Sequence, residues 1–195
     1  MRSQRFSLDA IEATPWKNGA GMTQEIACWP QGAGIDDFDW RVSIATIDAS
    51  GPFSQFAGVD RQIMLLGGCG MHLRAHDGTV NHRLDKVLQP YAFPGEVQID
   101  CQIFGGVSRD FNVMTRRSRC GAELKILDKN ARFEHVKSAM VLVLQGHWTI
   151  DADPKMRAHL TAGEGLYWTE SVSPFKIETM TQPENDAHCI LVIFS

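Results

Sequence analysis

The chain has 195 residues, a formal net charge of −4, 44% hydrophobic and 22% charged residues. That balance excludes a disordered chain and a coiled coil, and a chain of this length buries roughly 70% of the surface its unfolded form exposes, so it needs no staples to fold. The acidity argues against nucleic acid as a partner, because the densest basic cluster is only Arg116, Arg117 and Arg119.

The opening residues lack the apolar core of a signal peptide, and a weak helical turn is predicted near residues 6–12. From there onward the apolar segments are short and bounded by Gly, Pro, Asp or Asn. Strands are predicted over residues 23–29, 39–47, 61–66, 71–76, 97–104, 110–115, 122–127, 139–144, 148–150, 165–168, 175–180 and 188–194. The stretch 62–73 is too short and too rich in glycine to span a bilayer. Five dispersed cysteines, none in CxxC spacing, are the pattern of small buried side chains in a reducing compartment. A soluble cytoplasmic protein is expected, with no membrane partner; exposed sheet edges would allow a homodimer.

A faint repeat organises these strands. Met64-Leu-Leu-Gly-Gly-Cys-Gly-Met-His-Leu reads as strand, glycine turn, strand, and is followed by Gln89-Pro-Tyr-Ala-Phe-Pro-Gly. The order recurs in Val141-Leu-Val-Leu-Gln-Gly-His-Trp-Thr-Ile and Leu160-Thr-Ala-Gly-Glu-Gly-Leu-Tyr-Trp. The expected fold is all-β: cupin-type jelly-roll barrels, two modules in one chain, at residues 1–118 and a smaller 119–195. The usual cupin metal pattern is broken. Counting from Gly68, its histidine positions fall on Arg74 and His76, its glutamate on Val80 or Asn81, and its last histidine on Gln98. Arginine stays protonated and cannot ligate, so no metal or other cofactor is expected, and His72, His76 and His82 read as solvated loop residues.

Two features carry candidate chemistry. In Pro15-Trp-Lys-Asn-Gly-Ala-Gly-Met-Thr-Gln-Glu-Ile, Gly19 and Gly21 permit a turn or a close approach, Trp16 offers a flat apolar wall, and Lys17 and Asn18 add a cation and an amide. Three strands then carry polar residues two apart: Thr23 and Glu25, Arg41 and Ser43, Asp110 and Asn112. Their neighbours of opposite parity are apolar. Periodicity alone leaves two readings open, a solvated outer face or the lining of an interior. With Arg61, the interior reading gives a mixed pocket suited to a carboxylate that also bears an amide or hydroxyl. No nucleophile is activated: GxSxG is absent and Ser54 has no histidine nearby in sequence.

The first of these stretches, with Phe38-Asp-Trp-Arg-Val-Ser-Ile-Ala-Thr-Ile, Gly51-Pro-Phe-Ser-Gln-Phe-Ala-Gly-Val-Asp-Arg and Asp110-Phe-Asn-Val-Met-Thr-Arg-Arg, resembles the HutD/Ves family over about residues 14–117. Ala20 stands where many relatives carry a middle glycine. The resemblance implies a bicupin without the usual metal ligands, associated with histidine utilisation, that regulates by binding a small anion such as N-formylglutamate. The expected ligand site is Trp16, Lys17, Asn18, Thr23, Glu25, Arg41, Ser43, Arg61, Asp110 and Asn112. The alternative is a metal-independent isomerase or hydrolase with Glu25 or Asp110 as its base.

Overall fold

The computed structural model describes residues 3–152, 156–169, 174–181 and 187–195. They form two compact units, residues 11–121 and residues 1–10 with 122–195. The chain begins with strand β1 (Ser3–Ser7) and a single 3-10 turn at Leu8–Ala10, the only part of the expected helix that forms.

In the unit of residues 11–121, one sheet is built from β2 (Thr14–Pro15), β3 (Gly21–Trp29), β4 (Trp40–Ile47), β6 (Val59–Gly68), β9 (Pro90–Pro94) and β11 (Ser108–Arg116), in the order β2-β3-β4-β11-β6-β9. The other holds β5 (Gly51–Pro52), β7 (Met71–Ala75), β8 (Asn81–Leu84) and β10 (Ile99–Ile103), in the order β5-β10-β7-β8. All named pairings are antiparallel. The sheets meet through one apolar cluster, with Ile47, Ile63 and Leu65 from the six-stranded sheet against Met71, Leu73, Ile99 and Cys101 from the four-stranded one. Alternation places these side chains: on β7, Met71 and Leu73 turn inward and are fully buried, while His72 and Arg74 turn outward.

The remaining strands are β12 (Ala122–Leu127), β13 (Ala131–Phe133), β14 (Ser138–Gln145), β15 (His147–Ala152), β16 (Arg157–Thr161), β17 (Glu164–Trp168), β18 (Phe175–Thr179) and β19 (His188–Phe194). They form sheets of order β1-β17-β14-β19-β12 and β13-β18-β15-β16. Trp148, Trp168, Phe175, Ile150, Ile177, Val141 and Leu191 fill the space between them. Trp168 meets the Phe175 ring edge-on at 5.1 Å, and Phe133 stacks on Phe175 at 4.9 Å, geometries that add to the area term of burial.

Each unit is thus a two-sheet cupin-type jelly roll, and its sheets do not join into one closed ladder. The division differs from the expected one at the start of the chain. β1 pairs with β17, Ser3 opposite Trp168 and Ser7 opposite Glu164, so the first ten residues belong with the later unit. Among the described residues no helix is long and apolar enough to cross a membrane.

Candidate functional site

The six-stranded sheet sets the site by register. One row across it runs Thr23, Ala45, Asp110, Leu65; the next runs Glu25, Ser43, Asn112, Ile63; the next runs Cys28, Arg41, Met114, Arg61. Residues two apart share a face, so the polar members of β3, β4, β6 and β11 lie together. Their apolar neighbours Val42, Ile44, Phe111 and Val113 occupy the opposite face and are fully buried. Two irregularities flank the rows, a shift in β3 between Glu25 and Ala27 and another opposite Arg109 and Asp110. Such bulges bend a strand and re-aim the side chains beside them.

The shared face lines a cavity of about 660 Å³. Trp16, Lys17, Asn18, Thr23, Arg41, Ser43, Arg61, Asp110 and Asn112 all border it. Glu25 does not: it is half exposed, and its Oε2 accepts a hydrogen bond from Arg41 Nε at 2.6 Å. Its position orients Arg41. The walls include apolar side chains that sequence reasoning passed over, notably Phe53, Phe56, Ile35 and Met114.

The glycine-containing turn shapes one side. Gly19 has φ +70° and Asn18 Oδ1 accepts from the Ala20 N–H at 3.1 Å, a local turn bond typical of asparagine. At Gly21 a Cβ would lie 2.4 Å from the Thr46 carbonyl oxygen, so its bareness serves the approach of β4. The Trp16 indole N–H donates to Thr23 Oγ1 at 2.7 Å, fixing the ring.

The floor is unusual. Arg61 is buried at 7% exposure, with its guanidinium carbon 5.3, 5.7 and 5.1 Å from the ring centres of Phe53, Phe56 and Phe93. Rings at this distance attract a cation through their negative faces. Arg61 Nη1 donates to the Ser54 carbonyl at 3.4 Å, and Nε has no partner. Asp110 is 1% exposed and Asn112 7%, yet neither Asp110 oxygen nor Asn112 Oδ1 has a hydrogen-bond partner. Burial pushes the Asp110 carboxyl up to about 7, with the Arg61 charge pulling the other way. Burial lowers Arg61 to about 10, opposed by Asp110 and aided by Arg41, so it remains protonated at neutral pH. Buried polar groups are normally satisfied, yet four atoms of this cavity lining have no hydrogen-bond partner.

A cupin metal does not fit these residues. The inner positions of β7 are Met71 and Leu73, while Arg74 is exposed and His76 sits on the outside, 2.9 Å from Asp100. His72 lies on β7 rather than in a loop, accepting at Nδ1 from Arg74 Nε and meeting Asn81 at Nε2. His82 is on β8, stacked on Tyr91 at 3.8 Å. Among the described residues no three His, Cys, Asp or Glu converge to hold an ion.

Comparison with known proteins agrees with this architecture. The chain is 37% identical over 164 residues to Protein Ves of Escherichia fergusonii, covering 84% of this chain and 81% of that one. The crystal structure of a conserved protein of unknown function from Pseudomonas aeruginosa superimposes with a TM-score of 0.88 at 31% identity over the full length of both chains. HutD from Pseudomonas fluorescens gives 0.82 at 29% identity, covering 100% of this chain and 98% of that one. An oxalate decarboxylase from Lactobacillus farciminis shares the fold alone, at TM-score 0.65 and 8% identity, covering 97% of this chain and 85% of that one. The HutD family profile matches residues 8–187, a span that contains the whole cavity lining, and the chain belongs to the HutD family.

Proposed function

We propose that the protein binds a small anionic metabolite in the cavity of residues 11–121 and does no chemistry on it. The supporting observation is the floor: Arg61, Asp110 and Asn112 are buried with unmet hydrogen-bonding atoms beside an open polar space. Leaving such groups unpaired costs about 1–3 kcal/mol each, a cost that a polar ligand removes. Lys17, Arg41, Arg61 and Asp110 line the same cavity, with Glu25 balancing Arg41, so with Asp110 ionised the cavity carries about one net positive charge and favours an anion. The association of HutD and Ves proteins with histidine utilisation makes N-formylglutamate the first ligand to try, in a regulatory role. Trp16 walls one side, and Asn18 and Asn112 read the formamide. Titration calorimetry on the folded protein tests this: heat with N-formylglutamate or a related small acid is expected, and silence from all of them defeats the proposal.

A second reading draws on the Asp110 carboxyl. A group titrating near 7 in a cavity is suited to take and return a proton, which would make the protein a metal-independent isomerase or hydrolase. Glu25 is no longer a candidate base, since it is half exposed and engaged with Arg41. Turnover that survives EDTA and vanishes in Asp110→Asn would establish the enzyme; a ligand that binds and is recovered unchanged after long incubation removes it.

A further inference from the structure

The unmet atoms of the floor differ in kind. Three are acceptors, Asp110 Oδ1, Asp110 Oδ2 and Asn112 Oδ1, and one is a donor, Arg61 Nε. The other cations sit farther out: Lys17 is exposed, and Arg41 is partly exposed and pairs through Nε with Glu25, against 1% exposure for Asp110 and 7% for Asn112. Polarity therefore runs along the depth of the cavity, acceptors at the bottom and positive charge toward the mouth. Arg61 does not reverse this: its guanidinium lies against the Phe53, Phe56 and Phe93 rings, and the charge of Asp110 opposes its own.

We infer that the cavity is a seat for a hydrogen-bond donor: its ligand enters with an amide N–H or hydroxyl pointing inward to Asp110 and Asn112 and its carboxylate pointing outward to Arg41 and Lys17. The inference rests on the binding function proposed above and fixes which end of the ligand goes in. A carboxylate has acceptors only. Driven to the floor, it would set oxygen against oxygen beside Asp110 and leave all three acceptors unmet, an arrangement that binding sites use to reject analogues lacking a required donor. An N–H group removes the deficit and brings no charge into the buried end. Ser43, in register with Asn112 and 4% exposed, adds a hydroxyl that can donate or accept beside it.

The test uses two acids of nearly the same shape, glutarate and its monoamide, with N-formylglutamate alongside. Calorimetry is run at pH 8, where Asp110, raised to about 7 by burial, is ionised and accepts only. The monoamide is expected to bind at least tenfold more tightly than glutarate, and Asp110→Asn is expected to bring the two within about threefold, since an asparagine offers the floor a donor of its own. Glutarate binding as tightly as the monoamide overturns the inference and leaves the binding function standing. So does heat from N-formylglutamate with none from either five-carbon acid. Silence from all three removes the binding function, and the inference falls with it. The wild-type comparison decides the matter even if the variant does not fold.

Discussion

Replacing Asp110 with asparagine should make the empty protein more stable, and by an amount that depends on pH. The carboxyl is 1% exposed and has no hydrogen bond to either oxygen. Burial raises it from 3.8 to about 7, and that value already includes the attraction of Arg61. The unfolded chain ionises the group near its ordinary value while the folded protein holds the proton. Ionisation therefore favours unfolding once the pH passes about 4, and the penalty grows until about pH 7 and then levels off. At ~1.4 kcal/mol for each pH unit between the two values, the penalty reaches ~4 kcal/mol at pH 8 and stays below ~1 kcal/mol at pH 4. Asp110→Asn removes it, so urea unfolding followed by tryptophan fluorescence should show a gain approaching that figure at pH 8 and little gain at pH 4. Trp16, Trp29 and Trp40 report on the same unit. A variant less stable than wild type at pH 8, or a gain equal at both pH values, refutes the claim that burial without a partner raises the carboxyl.

Three further outcomes follow from the same geometry. Arg61→Met leaves Asp110 buried without its cation; it should lose ~3 kcal/mol at pH 8 and less at pH 5, where Asp110 takes up a proton, a difference readable by urea unfolding. Glu25→Gln releases Arg41 from its 2.6 Å partner; because exposed pairs contribute ~1 kcal/mol at most, affinity for the anion in calorimetry should change by about fivefold or less, with the melting temperature nearly unmoved. Gly21→Ala puts a methyl 2.4 Å from the Thr46 carbonyl oxygen; the crowding should cost about 1–3 kcal/mol, seen as a lowered melting temperature.

Much of the architecture was legible because strand parity is a local property. On β4 and β11 the alternation of Arg41 and Ser43 with Val42 and Ile44, and of Asp110 and Asn112 with Phe111 and Val113, fixes which residues share a face. What alternation could not decide was which face is enclosed, and here both are: the apolar face is fully buried and the polar one lines the cavity. The role of Glu25 was hidden for another reason. It has the parity of a lining residue, but its ion pair with Arg41 is a matter of side-chain reach across neighbouring strands. The aromatic surround of Arg61 joins Phe53, Phe56 and Phe93 from separate segments. The spacing of Phe53 and Phe56 in Gly51-Pro-Phe-Ser-Gln-Phe was a visible cue, whereas Phe93 had none. His72 lies in a segment that alternation marks as a strand, whereas β8, which carries His82, is short and has few apolar residues to mark it.

The pairing of β1 with β17 ties together segments more than 150 residues apart. A shortened version starting at Ile11 would keep every residue of the cavity and still damage the protein elsewhere. The amides and carbonyls of Glu164–Trp168 that Ser3–Ser7 now cover would become a bare sheet margin, ready to recruit a strand from another molecule. Shortening the leading end is therefore a hazard to solubility at the far end of the chain, and a fusion placed there presses on a sheet that contributes no residue to the cavity lining.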